Sequence, residues 1–210
     1  KLPATELKPF CYGTMFNCCK SLIQAPELPA TQLAGGCYLG MFNLCSKLQV
    51  TPELPATQMK NGCYMRMFSG CASLTQAPEL PATQLADSCY QGMFRSCTRL
   101  TLAPELPATQ LAGNCYKSMF SNCTSLTQAP ELPAIQLASH CYEGMFEGCA
   151  NITQAPELNA TSLVEGCYSY MFAYCTDLNY IKVGVMSLDN DFDATENWVK
   201  DVDGPGIFIF

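Results

Sequence analysis

One histidine and one tryptophan serve the whole 210-residue chain. A single His140 cannot furnish zinc sites at regular intervals along a sequence. Charge is scarce as well: charged residues make up 14 %, and eleven Lys and Arg against eighteen Asp and Glu leave a net charge of −7. A phosphate-binding face wants a basic excess, so no nucleic acid is expected as partner. Nowhere do eighteen apolar residues run together, so no transmembrane segment is expected. Gly-rich phosphate loops, nucleophile elbows and paired carboxylates are missing too. The expectation is therefore no catalytic residue, no metal and no cofactor. The opening Lys1-Leu2-Pro3-Ala4-Thr5 is no signal peptide and starts in mid-pattern, which reads as a trimmed chain.

What the chain does have is repetition. About half of it is apolar, and it carries fifteen cysteines. Cys-Tyr occurs at 11, 37, 63, 89, 115, 141 and 167, each interval being 26 residues. The unit runs Cys63-Tyr64, Met67-Phe68, Cys71, Leu74-Thr75, Ala77-Pro78-Glu79-Leu80-Pro81-Ala82-Thr83-Gln84-Leu85. Such a fixed period is the mark of a solenoid, in which each unit contacts only its neighbours. The expected division is 1–10 a partial N-terminal repeat, 11–188 the solenoid and 189–210 a C-terminal cap.

Leu33, Cys37, Met41 and Cys45 fall at i, i+4, i+8 and i+12, with Tyr38 and Phe42 widening the stripe. That spacing predicts an amphipathic helix over 34–45, with Thr57, Thr83 and Thr109 placed as N-caps in their units. Leu74-Thr75-Gln76-Ala77-Pro78-Glu79-Leu80-Pro81 is too rich in proline for a long strand. It predicts a short parallel strand near 75–77 followed by a polyproline-II-like return. The fold class expected is thus an α/β repeat protein, seven stacked units of strand, extended return and helix. In the cap, Asp193 and Glu196 would start a short helix through Trp198, and Ile207-Phe208-Ile209-Phe210 would form a strand covering the last unit.

The cysteines form two columns, 11 to 167 and 19 to 175, plus Cys18. Eight helical residues rise about 12 Å, whereas a disulfide needs Cα atoms about 4.4–6.8 Å apart. The columns therefore read as reduced, buried thiols acting as small hydrophobes. Cys18 shares its slot with Leu44, Gly70, Ser96, Asn122, Gly148 and Tyr174, and so faces outward. His140 shares a slot with Gly36, Gly62, Ser88, Asn114 and Gly166, an exposed turn. Asp189-x-Asp191-x-Asp193 is faintly like a calcium loop, but it lacks the sixth-position glycine and has Lys200 at the twelfth.

One column admits two readings. Glu27, Glu53, Glu79, Glu105, Glu131 and Glu157 occupy one slot in consecutive units, and strand neighbours sit about 4.8 Å apart. Either each carboxylate accepts hydrogen bonds from backbone N–H groups of the next unit, or the column is an acidic stripe for a basic partner or cations. With the neighbouring row (Thr75, Gln76, Thr101, Thr127, Gln128, Thr153, Gln154), the candidate binding face is Gln76, Glu79, Glu105, Gln128, Glu131, Gln154 and Glu157. The tyrosine column and the Met-Phe pairs are expected in the core.

The strings Met67-Phe68-Ser69-Gly70-Cys71-Ala72-Ser73-Leu74-Thr75 and Met119-Phe120-Ser121-Asn122-Cys123-Thr124-Ser125-Leu126-Thr127, each leading into a proline-ended strand, resemble the BspA-like leucine-rich-repeat surface proteins of anaerobic bacteria. The closing Ala194–Lys200 and Gly206-Ile207-Phe208 resemble that group's C-terminal cap. The unit here is longer, through the extra Glu-Leu-Pro-Ala-Thr segment. The resemblance implies a leucine-rich-repeat solenoid, export, and an extracellular, cell-surface location. It also implies adhesion to a host or microbial surface protein or glycan. The alternative function is a structural spacer without a ligand of its own. A monomer is expected.

Overall fold

A computed structural model of the chain describes residues 2–185, 193–203 and 206–209. Among them there is no α-helix, which corrects the expectation for 34–45 and for the segment through Trp198. Where the helix was expected, the chain makes a row of overlapping four-residue turns. In the unit around Cys37, Cys37 N–H donates to Ala34 C=O, Met41 to Tyr38 and Cys45 to Phe42. Each of these turns has its third residue in the left-handed region: Gly36 at φ 58°, Gly40 at 57° and Leu44 at 60°.

The intervening N–H groups leave the unit. Gly36, Tyr38, Gly40, Phe42 and Leu44 donate to the carbonyls of Asn61, Cys63, Met65, Met67 and Ser69 in the next one, at 2.7–3.0 Å. Every N–H from Gly36 to Cys45 is thereby satisfied, half inside the unit and half between units. An isolated helix would meet the same requirement only within itself.

Two physical reasons decide against the helix. An ideal helix advances 100° per residue, so a stripe repeating every four residues drifts around the cylinder. A chain of turns repeating every four residues keeps Cys37, Met41 and Cys45 on one side without drift, and all three are buried. The second reason is rise. Helices stack about 8–10 Å apart, whereas the strand side of the unit needs about 4.8 Å. The turn row stacks at the tighter spacing. Successive tyrosine and phenylalanine rings lie 5.6–6.2 Å apart centroid to centroid and nearly parallel, within 11°.

The extended half behaves as expected at its start. Parallel bridges join Gln24 to Val50, Gln76 to Leu102 and Gln154 to Tyr180, with a second set at Glu6–Gln32, Gln58–Gln84 and Gln84–Gln110. Between these sets side chains alternate. Pro78, Leu80 and Ala82 point inward, and Glu79, Pro81 and Thr83 outward. This segment is therefore extended with a period of two, not the three residues per turn of the polyproline-II-like return expected from its prolines.

The C-terminal residues add an eighth, divergent turn row rather than a helix. Tyr168, Tyr170, Phe172 and Tyr174 donate to Ala194, Glu196, Trp198 and Lys200. Asp193, Asn197 and Asp201 take the left-handed slots. Trp198 thus fills the methionine slot, 6.2 Å from Tyr168 and edge-on to Phe208. Strand β1 (Tyr180–Lys182) pairs in parallel with β2 (Ile207–Ile209), as the cap reading expected. Asp189 and Asp191 of the calcium-loop reading, Gly204, Pro205 and Phe210 lie outside the described residues.

The core is one continuous cluster of columns running from Ala25 to Trp198. All fifteen thiols are free, and twelve are buried; Cys11, Cys18 and Cys19 are exposed. In the second column each buried thiol donates to a phenylalanine carbonyl of the preceding unit, as Cys71 to Phe42, Cys97 to Phe68 and Cys123 to Phe94, at 3.1–3.2 Å. That contact gives the slot a reason to be cysteine, a small apolar group with one weak donor. The tyrosine rings are core, and the Tyr38 hydroxyl is buried without a hydrogen-bond partner among the described residues.

Candidate binding face

The two prolines of each unit determine what the extended face can do. Pro78 and Pro81 have no N–H to give, so the neighbouring Pro-Glu-Leu-Pro segments are not laced together as the turn rows are. Shallow grooves open between them instead. One of about 590 Å³ is lined by Gln76, Pro78, Glu79, Pro104, Glu105 and Pro107. The next, about 370 Å³, lies between Pro104-Glu105 and Gln128-Pro130-Glu131. Equivalent grooves lie at Glu27–Glu53, Glu53–Glu79 and Glu131–Gln154. The same opening therefore recurs along one side of the stack.

All seven residues singled out for this face, Gln76, Glu79, Glu105, Gln128, Glu131, Gln154 and Glu157, are exposed. Six of them line these grooves; Glu157 flanks the last. Glu53, Glu79, Glu105 and Glu131 have no hydrogen-bond or ion-pair partner among the described residues. The reading in which each carboxylate accepts from the next unit's backbone is not what these four do. Glu157 differs, with Lys182 Nζ 2.8 Å from its Oε1. That carboxylate raises the ammonium pKa of Lys182. Apolar side chains interrupt the row of glutamines: Val50 and Leu102 occupy that slot, and both are exposed. Sequence reasoning passed over these two because only the polar members of the slot were collected; aligning the slot unit by unit exposes them.

The other side of the molecule holds the remaining candidates. His140 sits at φ 53°, in the left-handed slot of its turn row. Its Nδ1 is 2.8 Å from Glu143 Oε2, which also takes Lys117 Nζ at 2.8 Å. Glu165 lies 3.8 Å from Nε2. Neither His140 nor Cys18 lines any of the five grooves. Among the described residues, no three His, Cys, Asp or Glu side chains are grouped to hold a metal ion. No described helix is long and apolar enough to cross a membrane.

The buried thiols are chemically quiet. Burial pushes Cys37 up to about 11 and Cys63, Cys97, Cys115 and Cys175 up to about 12, desolvation of the thiolate being the main cause in each. At neutral pH they are protonated and poor nucleophiles.

No protein-family model matches the chain, and no curated protein matches it. Among solved structures, a leucine-rich repeat protein from Bacteroides ovatus is similar, at 16 % identity and a TM-score of 0.37. The alignment covers 98 % of this chain and 66 % of that one, so the chain spans just under two thirds of that protein's length. A likeness this remote bears on neither ligand nor partner. The solenoid stands on the hydrogen bonds and columns described above.

Proposed function

We propose that the chain is a non-enzymatic binding module of the leucine-rich-repeat kind, displayed at a bacterial cell surface, that recognises protein or glycan through its extended face. The observation that carries this reading is the recurrence of one groove, walled by prolines and flanked by exposed glutamates, between successive units. Each groove is open and shallow, so a single contact is weak. A ligand that itself repeats gains by avidity, because each engaged groove raises the effective concentration at the next. Four unpartnered carboxylates favour a ligand carrying positive charge, and exposed Val50 and Leu102 add apolar contact. Surface location and adhesion rest on the resemblance of the Met-Phe-x-x-Cys-x-x-Leu-Thr strings.

The test is binding of the intact chain to an array of glycans and matrix proteins. A hit should weaken in high salt and be lost in the triple variant Glu79→Gln, Glu105→Gln, Glu131→Gln. A hit that survives the triple variant removes the extended face from the reading.

The spacer reading is favoured by a specific observation: the extended segments are nearly identical from unit to unit, whereas a specific binding face varies where it discriminates. No hit on the array, together with scattering from a rigid rod, would establish the spacer.

A further inference from the structure

We propose that two copies of this chain pair as an antiparallel, two-fold dimer through their turn-row faces. This face runs along the side of the stack, away from the grooves, so the contact needs neither end of the stack to be free. In each row two positions of every four lie away from the core, as Met65-Arg66 and Ser69-Gly70 do between buried Tyr64, Met67, Phe68 and Cys71.

Charge is sorted by sign along the face. The third to fifth rows, 61–73, 87–99 and 113–125, hold Arg66, Arg95, Arg99 and Lys117 against Asp87 alone. The sixth and seventh, 139–151 and 165–177, hold Glu143, Glu147, Glu165 and Asp177 against His140. The eighth, 193–203, adds Asp193, Glu196, Asp201 and Asp203 against Lys200. Arg66, Arg95 and Arg99 are exposed and make no ion pair with a described residue. Asp177 and Glu196 are exposed as well and also lack a cationic partner among the described residues.

The slots make the match specific. A two-fold axis between the fifth and sixth rows sets row three against row eight, four against seven and five against six, each slot facing its own equivalent. Arg66 shares a slot with Glu196, Arg99 with Asp177, and Lys117 with Glu143, five, three and one periods apart. In that register each of these cations meets the acid of its own slot on the second copy, and the symmetry makes every pair twice. Lys117 and Glu143, already 2.8 Å apart within one chain, then close a ring of four alternating charges with their copies. One like-charged pair remains, Asp87 against Glu165 at the margin of the face. Both have partners in their own chain: Asp87 Oδ1 accepts from Gly113 N–H at 3.1 Å, and Glu165 lies 3.8 Å from His140 Nε2. From row three to row seven the stacked rings tilt by no more than 11° per step. Two faces so straight, with one common step, stay in register over several rows.

A parallel pairing would instead set each row against its own copy, cation on cation and acid on acid. The antiparallel contact uses the same patch on both copies, so it closes on itself and stops at two. This departs from the monomer expected of the sequence. The extended faces of both copies take no part, so the dimer and the ligand reading stand or fall separately.

The test is sedimentation of the full chain under reductant, over a range of concentrations. The average mass should rise from 22.9 kDa and level off at twice that value. Association should weaken roughly tenfold or more as salt shortens the Debye length from about 30 Å at about 10 mM to about 3 Å at about 1 M. The variants Arg66→Glu/Arg99→Glu and Asp177→Arg/Glu196→Arg should each stay monomeric alone and form a dimer when mixed. Recovery on mixing excludes misfolding as the cause of either loss. Asp87→Lys, which turns the one like-charged pair into an attractive one on both sides of the axis, should tighten the dimer by roughly fivefold or more. A chain that stays monomeric at every concentration overturns the proposal. So does a mass that climbs past the dimer, a pair of variants that fail to complement, or an Asp87→Lys dimer no tighter than the parent.

Discussion

A left-handed residue every four positions is the single-residue fact on which each turn row depends. The slot tolerates more than glycine. Thr14, Arg66, Ser88, Asn114, His140 and Tyr170 all take φ between 53° and 55°. An L-residue there costs about 1–2 kcal/mol, offset by the two sets of backbone bonds that its conformation makes available. Arg66→Gly, at an exposed slot, should therefore stabilise the protein by up to about 1 kcal/mol after glycine's own entropy cost. Gly148→Val should destabilise it by about 2 kcal/mol or more. Its φ is +72°, and an added Cβ would stand 2.6 Å from Asn122 Oδ1. Urea midpoints of the two variants measure both, and a loss of stability in Arg66→Gly would show that the arginine side chain outweighs the strain.

The thiols make a second prediction at this scale. Their folded pKa values lie above the unfolded value, near 9, and reach about 12 for Cys63, Cys97 and Cys115. Below pH 9 both states are protonated and the difference is silent. Between pH 9 and about 12 the unfolded chain loses thiol protons that the folded chain keeps, so stability falls as pH rises. Each such thiol contributes about 1.4 kcal/mol per pH unit, and several act together. Thermal melting followed from pH 8 to pH 11 should show a steep loss of stability beginning near pH 9. A flat profile across that range would mean the thiols are not buried as described.

At the scale of elements, the turn row and the proline-ended segment have opposite roles. The row is cross-linked to its neighbours by five backbone bonds per step, as at Gly36 to Leu44. The Pro-Glu-Leu-Pro segment is almost unlinked and leaves grooves. Rigidity and accessible surface are thus placed on different sides of the same unit. Far-UV circular dichroism should lack the double minimum of an α-helix; a strong helical spectrum would contradict the turn rows outright. The repeat length, the outward Cys18, the parallel strand near Gln76 and the cap strand were legible in the sequence. The turn rows were written there as well, in the recurrence of Gly, Ser and Asn at Gly36, Gly40, Gly62, Gly70, Ser88 and Asn114, but a spacing of four was assigned to the nearest familiar period.

For the whole molecule, stability is shared among neighbours rather than pooled in one centre. Phe94 is stacked on both faces, by Phe68 and Phe120, and is fully buried. Phe16 is stacked on one face by Phe42 and is partly exposed. Phe94→Ala should cost about 3–5 kcal/mol, and Phe16→Ala clearly less, as read by chemical denaturation. Equal losses would mean that the columns do not pass stability between neighbours.

The amino-acid sequence alone determined that the chain is a stack: a strict 26-residue period with cysteine, tyrosine, methionine and phenylalanine in constant slots admits no other burial. It also placed the cysteines in two constant columns; that they are free thiols is seen in the tertiary structure. The form of the unit was settled only in the tertiary structure. One unit can satisfy its backbone as a helix by itself, or as turns with the help of a neighbour. The second wins because both sides of the unit must then advance by the same small step. The fate of the glutamates was likewise a matter of packing: whether a backbone donor lies within reach depends on how the next proline segment sits, and all six carboxylates are exposed, four of them without a partner among the described residues.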